Sequence, residues 1–402
     1  MGENIILFDD DYWKALLPLT YTRPIGDLRV GILKISDKWL SRIGGSVSYI
    51  TQDYLAEKFP IHISENNLVI NARLLPNDNI ANLIEQLELN EALLFGETLV
   101  AARLNIQQFD NLINGKELDE LKGIDITKYE KYLHLLSRPY DIFLENGREI
   151  AKDFKLLTYN KTSYPISYHN YPIAPDNIFI AEDAEVTFSS LNASEGPIYI
   201  GRGAKVMEGS SIRGPFALCD NATVKMGTKI YGSTTIGPHS KVGGELSNVV
   251  IQGYSNKGHD GYLGNSVLGE WCNLGADTNS SNLKNNYTEV KVWNYEKESF
   301  QKTGLQFCGL IMGDHSKTGI STMLNTGTVV GVSSNIFGSG FPRTFIPSYA
   351  WGGSAGYSSY HLDKAYDTMT KVMARRNKTL EEVDKVILGH IYHSSATFRQ
   401  WE

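Results

Sequence analysis

The sequence predicts two architectures in tandem: an α/β domain of alternating strands and helices, then a parallel β-helix built on a hexapeptide repeat and closed by a C-terminal helix. Three observations carry this reading. First, every sixth residue from Ile200 onward is aliphatic: Ile200, Val206, Ile212, Leu218, Val224, Ile230, Ile236 and Val242. Neither a helix, with a period of about 3.6, nor a plain strand, with a period of about 2, produces such a series. A solenoid does, because each short strand turns one aliphatic inward before the chain rounds a corner. Second, the 37 glycines of the 402-residue chain gather beside these positions, at Gly201, Gly203, Gly209, Gly214, Gly227, Gly232, Gly237, Gly243 and Gly244. Corner turns need tight or left-handed backbone, which glycine adopts at little steric cost. Third, short β-rich runs alternate with helical patterns before residue 160, as in crossover units on a sheet.

Taken in order, Asn4–Phe8 is a short apolar strand ending in Asp9, Asp10 and Asp11. Ser46–Thr51, Asn67–Ile70 and Ala92–Leu104, broken at Gly96, are further strands. Val30–Ile43 reads as helix, as does Ile80–Leu89, whose Ile80, Leu83, Ile84 and Leu87 recur at helical spacing. Asp119–Asp153 reads as mostly helical, with a break at Arg138-Pro139, and the Tyr, Pro, Ser and Asn of the next stretch read as a linker. The predicted domains are therefore 1–160, a linker at 161–178, a solenoid at 179–345 and a C-terminal extension at 346–402. Within the solenoid, Ile180 and Val186 seed the period and Val250 begins a shifted phase that reaches Leu268 and Leu274. A polar excursion over Asn279–Gly304 follows, and the period returns at Met312, Leu324, Val330 and Ile336. Leu362–Ile391 reads as a helix that caps the last coil.

Composition bounds the function. A net charge of −7 lacks the electrostatic footprint of a nucleic-acid binder. Cys219, Cys272 and Cys308 are too few and too scattered for a disulfide framework or a zinc cluster, and are expected as buried small hydrophobes. No stretch approaches the ~20 apolar residues of a membrane helix, and the N-terminus lacks a basic region with an apolar core, so a cytoplasmic protein is expected.

The chemistry concentrates in Lys257-Gly258-His259-Asp260-Gly261-Tyr262-Leu263-Gly264, followed by Asn273-Leu274-Gly275-Ala276-Asp277-Thr278 and Asn282. A histidine among glycines in a solenoid loop is open to a ligand and titrates near neutrality, so it can accept a proton from an attacking amine or hydroxyl. Tyr262, Asn273 and Asn282 add the hydroxyl and amide groups that a sugar site uses.

This stretch resembles the acetyltransferase half of the bifunctional bacterial enzymes that make UDP-N-acetylglucosamine. These enzymes join a sugar-1-phosphate nucleotidyltransferase domain of Rossmann-like α/β type to a left-handed parallel β-helix. The resemblance implies that His259 is the catalytic base and that Tyr262, Asn273 and Asn282 bind the amino-sugar phosphate. It further implies that acetyl-CoA is co-substrate, with the backbone at Ala276 beside the thioester or the pantetheine arm. Two departures stand out: Glu245-Leu246-Ser247-Asn248 replaces the family's basic coil, and Leu283 replaces its aromatic. Lys229, Lys241 and Lys257 are candidates for the acceptor phosphate. Lys317, Arg343, Arg375, Arg376 and Lys378 are candidates for the phosphates of CoA.

The first half lacks the family's glycine-rich phosphate loop after Phe8. Its Thr22-Arg23-Pro24-Ile25-Gly26-Asp27-Leu28-Arg29 resembles the arginine-to-lysine part of that motif, and Lys38-Trp39 resembles the Lys-Pro that follows. By resemblance, Arg23 and Arg29 neutralise the pyrophosphate, Lys38 binds substrate, and magnesium is the cofactor of transfer from UTP or dTTP to a sugar-1-phosphate. Asn67–Pro76 offers Asn71 and Arg73 where the family has its metal aspartate, which leaves Asp9 and Asp10 as the candidate ligands. A homotrimer acting on small molecules, without nucleic acid or membrane, is implied. Two alternatives stay open: an enzyme with one of the two activities, and a non-catalytic scaffold.

Overall fold

The structure, a computed structural model, describes residues 2–113 and 125–401. It divides into two compact units. One comprises Met1–Trp13, Arg23–Leu28 and Leu33–Ser137; the other comprises Lys14–Thr22, Arg29–Ile32 and Arg138–Glu402.

The first unit holds a six-stranded mixed sheet. Its strands are β1 (Asn4–Phe8), β2 (Ser46–Ile50), β3 (Asn66–Asn71), β4 (Glu91–Phe95), β5 (Thr98–Asn105) and β6 (Asp125–Lys128), in the order β2-β1-β3-β5-β4-β6. β1 runs parallel to both β2 and β3, whereas β5 is antiparallel to β3 and β4. The sheet's helices are α1 (Ile35–Ile43), α2 (Asp53–Ala56), α3 (Asp78–Glu85) and α4 (Ile106–Ile113). Ile5, Ile6, Leu7, Leu68, Val69 and Ile70 are all buried, as expected of central strands covered on both faces. In the span read as mostly helical, β6 is a strand, the helix starts only at Asp141, and residues 119–124 lie outside those described.

The second unit is a parallel β-helix, as the period of six requires. Its strands fall into a 15-stranded and a 10-stranded parallel array, the latter ending in an antiparallel hairpin at Ala350–Ser359. All eight aliphatics of the period are buried and line one continuous core with Leu268, Leu274, Met312, Leu324, Val330 and Ile336. The shifted phase differs from expectation. Leu218 pairs with Ile236, eighteen positions on, but Ile236 pairs with Ile251, fifteen on. The inward residue is therefore Ile251, and Val250 faces outward, where it is also buried. The polar excursion carries its own hairpin, Lys291–Asn294 with Ser299–Lys302.

A helix α5 (Asp141–Thr158) belongs to the β-helical unit rather than to the sheet. Ile150 packs with Ile32, Ala217 and Cys219, and Phe154 and Leu157 adjoin them. The segment Arg29–Ile32 is bound to this unit by its backbone: Gly31 N–H donates to Asn146 Oδ1 at 2.9 Å and Ile32 N–H to Asp153 Oδ2 at 2.9 Å. That engagement shortens the helix expected over Val30–Ile43. Gly31 has φ +82°, and a Cβ there would stand 2.7 Å from the Glu149 carbonyl carbon. The C-terminal helix is two helices, α6 (Leu362–Ala374) and α7 (Glu382–Ser394). All three cysteines are buried and free, and burial pushes Cys272 and Cys308 up to about 12.

Candidate active site

The register of the β-helix assembles the His259 region. Asn256 pairs with Asn273 and Leu263 with Ser280, seventeen positions apart. Asp277 N–H donates to Asp260 O at 3.0 Å in the same register. His259 therefore stands one coil from Ala276, and Ser321 N–H donates to Ala276 O at 2.8 Å to extend the column to Ile320. Beside this column runs a strip of bare backbone. Gly243 abuts Gly258, Gly275 abuts Gly319, and Gly258 has nothing within 4 Å of where its Cβ would lie. A ligand approaching His259, which is exposed, meets main chain rather than side chains.

Tyr262, Asn282 and Asn265 converge at Gly264, on the strand that follows the His259 turn. The Asn282 amide donates to Tyr262 Oη at 3.0 Å and to Asn265 Oδ1 at 2.7 Å. The Tyr262 amide donates to Asn279 Oδ1 at 2.8 Å. Burial raises the Tyr262 phenol, so it remains a neutral donor at physiological pH. Asn265 and Asn279 were not read from the sequence as site residues; their spacing of seventeen to Asn282 and from Tyr262 carries the signal once the coil length is known. Asn273 is exposed on the strand opposite Lys317. The Lys317 ammonium donates to His315 O at 2.7 Å, and burial lowers its pKa.

Lys257 is placed differently from expectation. It pairs with Val242, which puts it in an inward slot of the solenoid, and only 1% of it is exposed. Its ammonium donates to His259 O at 2.5 Å and Asp260 O at 3.2 Å. Burial brings its pKa down to about 8, against the pull of Asp260 and Asp277. Lys257 thus holds the turn that carries His259 rather than presenting a cation to a phosphate. Arg343 is exposed and lines a cavity of about 380 Å³ with Trp293, Phe300, Phe345, Tyr357 and Trp401; neither His259 nor Tyr262 lines it.

The other cluster lies where β1 and β3 end, at the carboxyl edge of parallel strands, the usual place of a binding crevice in such sheets. Asp10 is held by Arg73, whose Nη2 stands 2.6 Å from Oδ2 and whose Nε donates to both oxygens; Asn71 Nδ2 adds a bond of 3.0 Å. Asp9 accepts from the Ile25 amide at 2.9 Å and from Thr51 Oγ1 at 2.7 Å. Burial raises its pKa from 3.8 to about 7. This pair does not fit a magnesium ion. One carboxylate is spent on a guanidinium, the other on the Ile25 amide and the Thr51 hydroxyl, and a hard dication needs free anionic oxygens. Among the described residues no group of three or more His, Cys, Asp or Glu is placed to hold a metal.

Arg23 and Arg29 are parted between the units. Arg23 is buried and pairs with Asp27 at 3.5 Å, and the same carboxylate takes Lys34 at 2.6 Å. Arg29 is buried in the β-helical unit. Its backbone N–H donates to Gln252 Oε1 at 2.7 Å, and its guanidinium reaches Ile32 O, Gln252 O and Cys219 Sγ. It is a structural cation there, not a second phosphate ligand beside Arg23. Lys38 is wholly buried on α1, so it is closed to a substrate.

Known proteins are similar to parts of this chain. Residues 5–162 match the family model of the sugar nucleotidyl transferases. The chain is 25% identical over 213 residues, 50% of its own length and 43% of the relative's, to the bifunctional protein GlmU of Wolbachia pipientis wMel. It is 29% identical over 152 residues, 33% of its length and 37% of the relative's, to the bifunctional sugar-1-phosphate nucleotidylyltransferase/acetyltransferase of Sulfurisphaera tokodaii. Among solved structures, a UDP-N-acetylglucosamine acyltransferase from Campylobacter jejuni matches 58% of this chain and 95% of its own, at 15% identity and a TM-score of 0.27. The matched stretches span less than half the length of either curated relative. By these matches the chain is similar to the bifunctional GlmU proteins, and its first part carries the sugar nucleotidyl transferase signature.

Proposed function

We propose that this protein is a transferase of sugar-nucleotide synthesis. In this reading, the β-helical unit moves an acetyl group from acetyl-CoA to the amine of an amino-sugar phosphate such as glucosamine-1-phosphate. The first unit joins the nucleotidyl group of UTP or dTTP to a sugar-1-phosphate. The observation that carries the first activity is His259 exposed beside the bare strip Gly243, Gly258, Gly275 and Gly319, with the Asn282–Tyr262 pair on the strand that follows. The imidazole accepts the proton that the amine loses as its nitrogen attacks the thioester carbonyl. As the C–N bond forms, the C–S bond breaks and the departing thiolate takes that proton from the imidazolium to leave as the thiol. Tyr262 and Asn282, each fixing the other, orient the sugar, and Lys257 holds the His259 turn still.

The second activity is supported by the match over residues 5–162 and by the Arg23–Asp27–Lys34 cluster near the ends of the parallel strands. A trimeric assembly is part of the proposal.

Two assays on one preparation test the reading: thiol release from acetyl-CoA with amino-sugar phosphates, and pyrophosphate release from UTP or dTTP with sugar-1-phosphates. His259→Ala should cost about 10²- to 10⁴-fold in thiol release at unchanged melting temperature, since the side chain is exposed. Unchanged turnover would remove His259 as the base. Pyrophosphate release without thiol release would leave a single-activity nucleotidyltransferase.

A further inference from the structure

In the β-helical unit, the hairpin of the polar excursion, the last coils and the end of the chain bring aromatic rings together. Trp293 and Phe300 are cross-strand partners in that hairpin, with ring centroids 5.4 Å apart. Trp293 also stacks on Phe345 of the strand Phe345–Ile346, at 4.2 Å and 11°. Tyr357, from the hairpin at Ala350–Ser359, stacks separately on Trp401, with centroids 5.4 Å apart. Phe398 meets Phe345 edge-on at 5.9 Å. The two groups of rings do not close on one another. Both line the cavity of about 380 Å³, which falls in the range of roughly 300–1,000 Å³ typical of small-molecule sites.

Ring faces that meet a void lose the dispersion contacts that packing would supply, and an apolar cavity takes an apolar ligand more readily than water. Among the described residues that line this one, Arg343 carries the single charge, and it is exposed. Its guanidinium forms no ion pair with a carboxylate among the described residues. Cations of the neighbouring hairpin do: Lys297 pairs with Glu296 and Lys302 with Glu289. Trp293 Nε1 is shielded from solvent and has no acceptor among the described residues, whereas Trp401 Nε1 donates to Ser359 Oγ at 3.0 Å. A buried N–H without an acceptor is costly. One guanidinium matches one carboxylate through two parallel hydrogen bonds, and its plane stacks on aromatic faces. A linked diphosphate would bring charge that a single cation leaves unbalanced, so Arg343 departs here from the role at CoA that the resemblance implied.

We propose that this cavity binds a planar aromatic monocarboxylate, with its ring among Trp293, Phe345, Tyr357 and Trp401 and its carboxylate on Arg343. The site shares no residue with the His259 turn, the Tyr262–Asn282 pair or the Asp9 and Asp10 cluster, so it stands whether or not either proposed transfer occurs.

Calorimetric titration of the full chain with indole-3-acetate and with uncharged indole tests it, alongside the indole N–H resonances of the ¹⁵N-labelled protein. Indole-3-acetate should bind and shift the resonances of Trp293 and Trp401, each assigned by its Trp→Phe variant. Arg343→Gln should weaken indole-3-acetate about ten-fold or more and change indole by less than about two-fold, at an unchanged melting temperature because the side chain is exposed. Trp401→Ala removes one wall and should weaken both probes. Absence of binding at millimolar concentration, binding that leaves both resonances in place, or an Arg343→Gln variant with the parent's affinity for the acid would overturn the proposal. Displacement of indole-3-acetate by coenzyme A in the parent but not in Arg343→Gln would return Arg343 to the CoA phosphates and overturn it as well.

Discussion

Lys257 shows how one side chain changes role when its slot is known. A lysine beside a histidine in a loop reads as a phosphate ligand. Paired with Val242, it points into the solenoid and spends its ammonium on two carbonyls of the His259 turn. Lys257→Met keeps much of the volume and removes both bonds. It should cost about 1–3 kcal/mol in urea unfolding and lower acetyl transfer more than substrate affinity. A variant as stable as the parent would show that the carbonyls find other donors. Asp9 offers a test by pH. Its folded pKa is about 7 against an ordinary 3.8, with burial as the main cause. Between those values the unfolded chain has released the proton that the folded chain keeps. Its contribution to stability is thus fully present below about pH 4 and lost as the pH rises to about 7. Asp9→Asn removes this titration, so the variant should gain on the parent across that window by up to a few kcal/mol. Parallel stability curves would contradict the assignment.

At the scale of elements, one asparagine ties α5 to two other segments. Asn146 is fully buried. Its amide donates to Ser233 O at 2.6 Å, and its oxygen receives Gly31 N–H at 2.9 Å and Thr235 Oγ1 at 3.0 Å. The helix, the strand Thr234–Ile236 and the segment Arg29–Ile32 therefore share one side chain. Asn146→Leu leaves those groups buried without it, and should lower the stability of the β-helical unit by about 3 kcal/mol or more. Hydrogen exchange should rise at Gly31 and Thr235 together. Exchange that rises at only one of them would mean that the shared side chain does not couple the elements. The sequence showed this stretch as helical, but a helical pattern is mute about which surface the helix meets.

At the scale of the whole molecule, the two units are not successive along the chain. Lys14–Thr22 and Arg29–Ile32 leave the first part to join the β-helical unit. A chain begun at Arg138 would leave the Gln252 amide and carboxamide oxygen, which meet the Arg29 backbone, and the Asn146 oxygen without those partners. Such a fragment should melt several degrees below the corresponding transition of the full chain, and a separate peptide covering residues 14–32 should restore part of the loss. Equal melting temperatures would show that these segments contribute little.

What the sequence determined by itself is the repeat. A period of six has one physical solution, and the eight aliphatics from Ile200 to Val242 are buried on one core as that solution requires. The stretch from Lys257 to Asn282 stood out by its resemblance to a known family, whereas the pairing of Tyr262 with Asn282 and Asn265 became visible only with the coil register. The tertiary structure decided everything that depends on partners distant along the chain. Arg23 and Arg29 are six positions apart yet serve different units, and Asp10 is committed to Arg73, sixty-three positions on. Spacing in a sequence reports which backbone pattern a segment can adopt. It does not report which buried charge a side chain must neutralise, since that is settled by burial and by the groups brought against it.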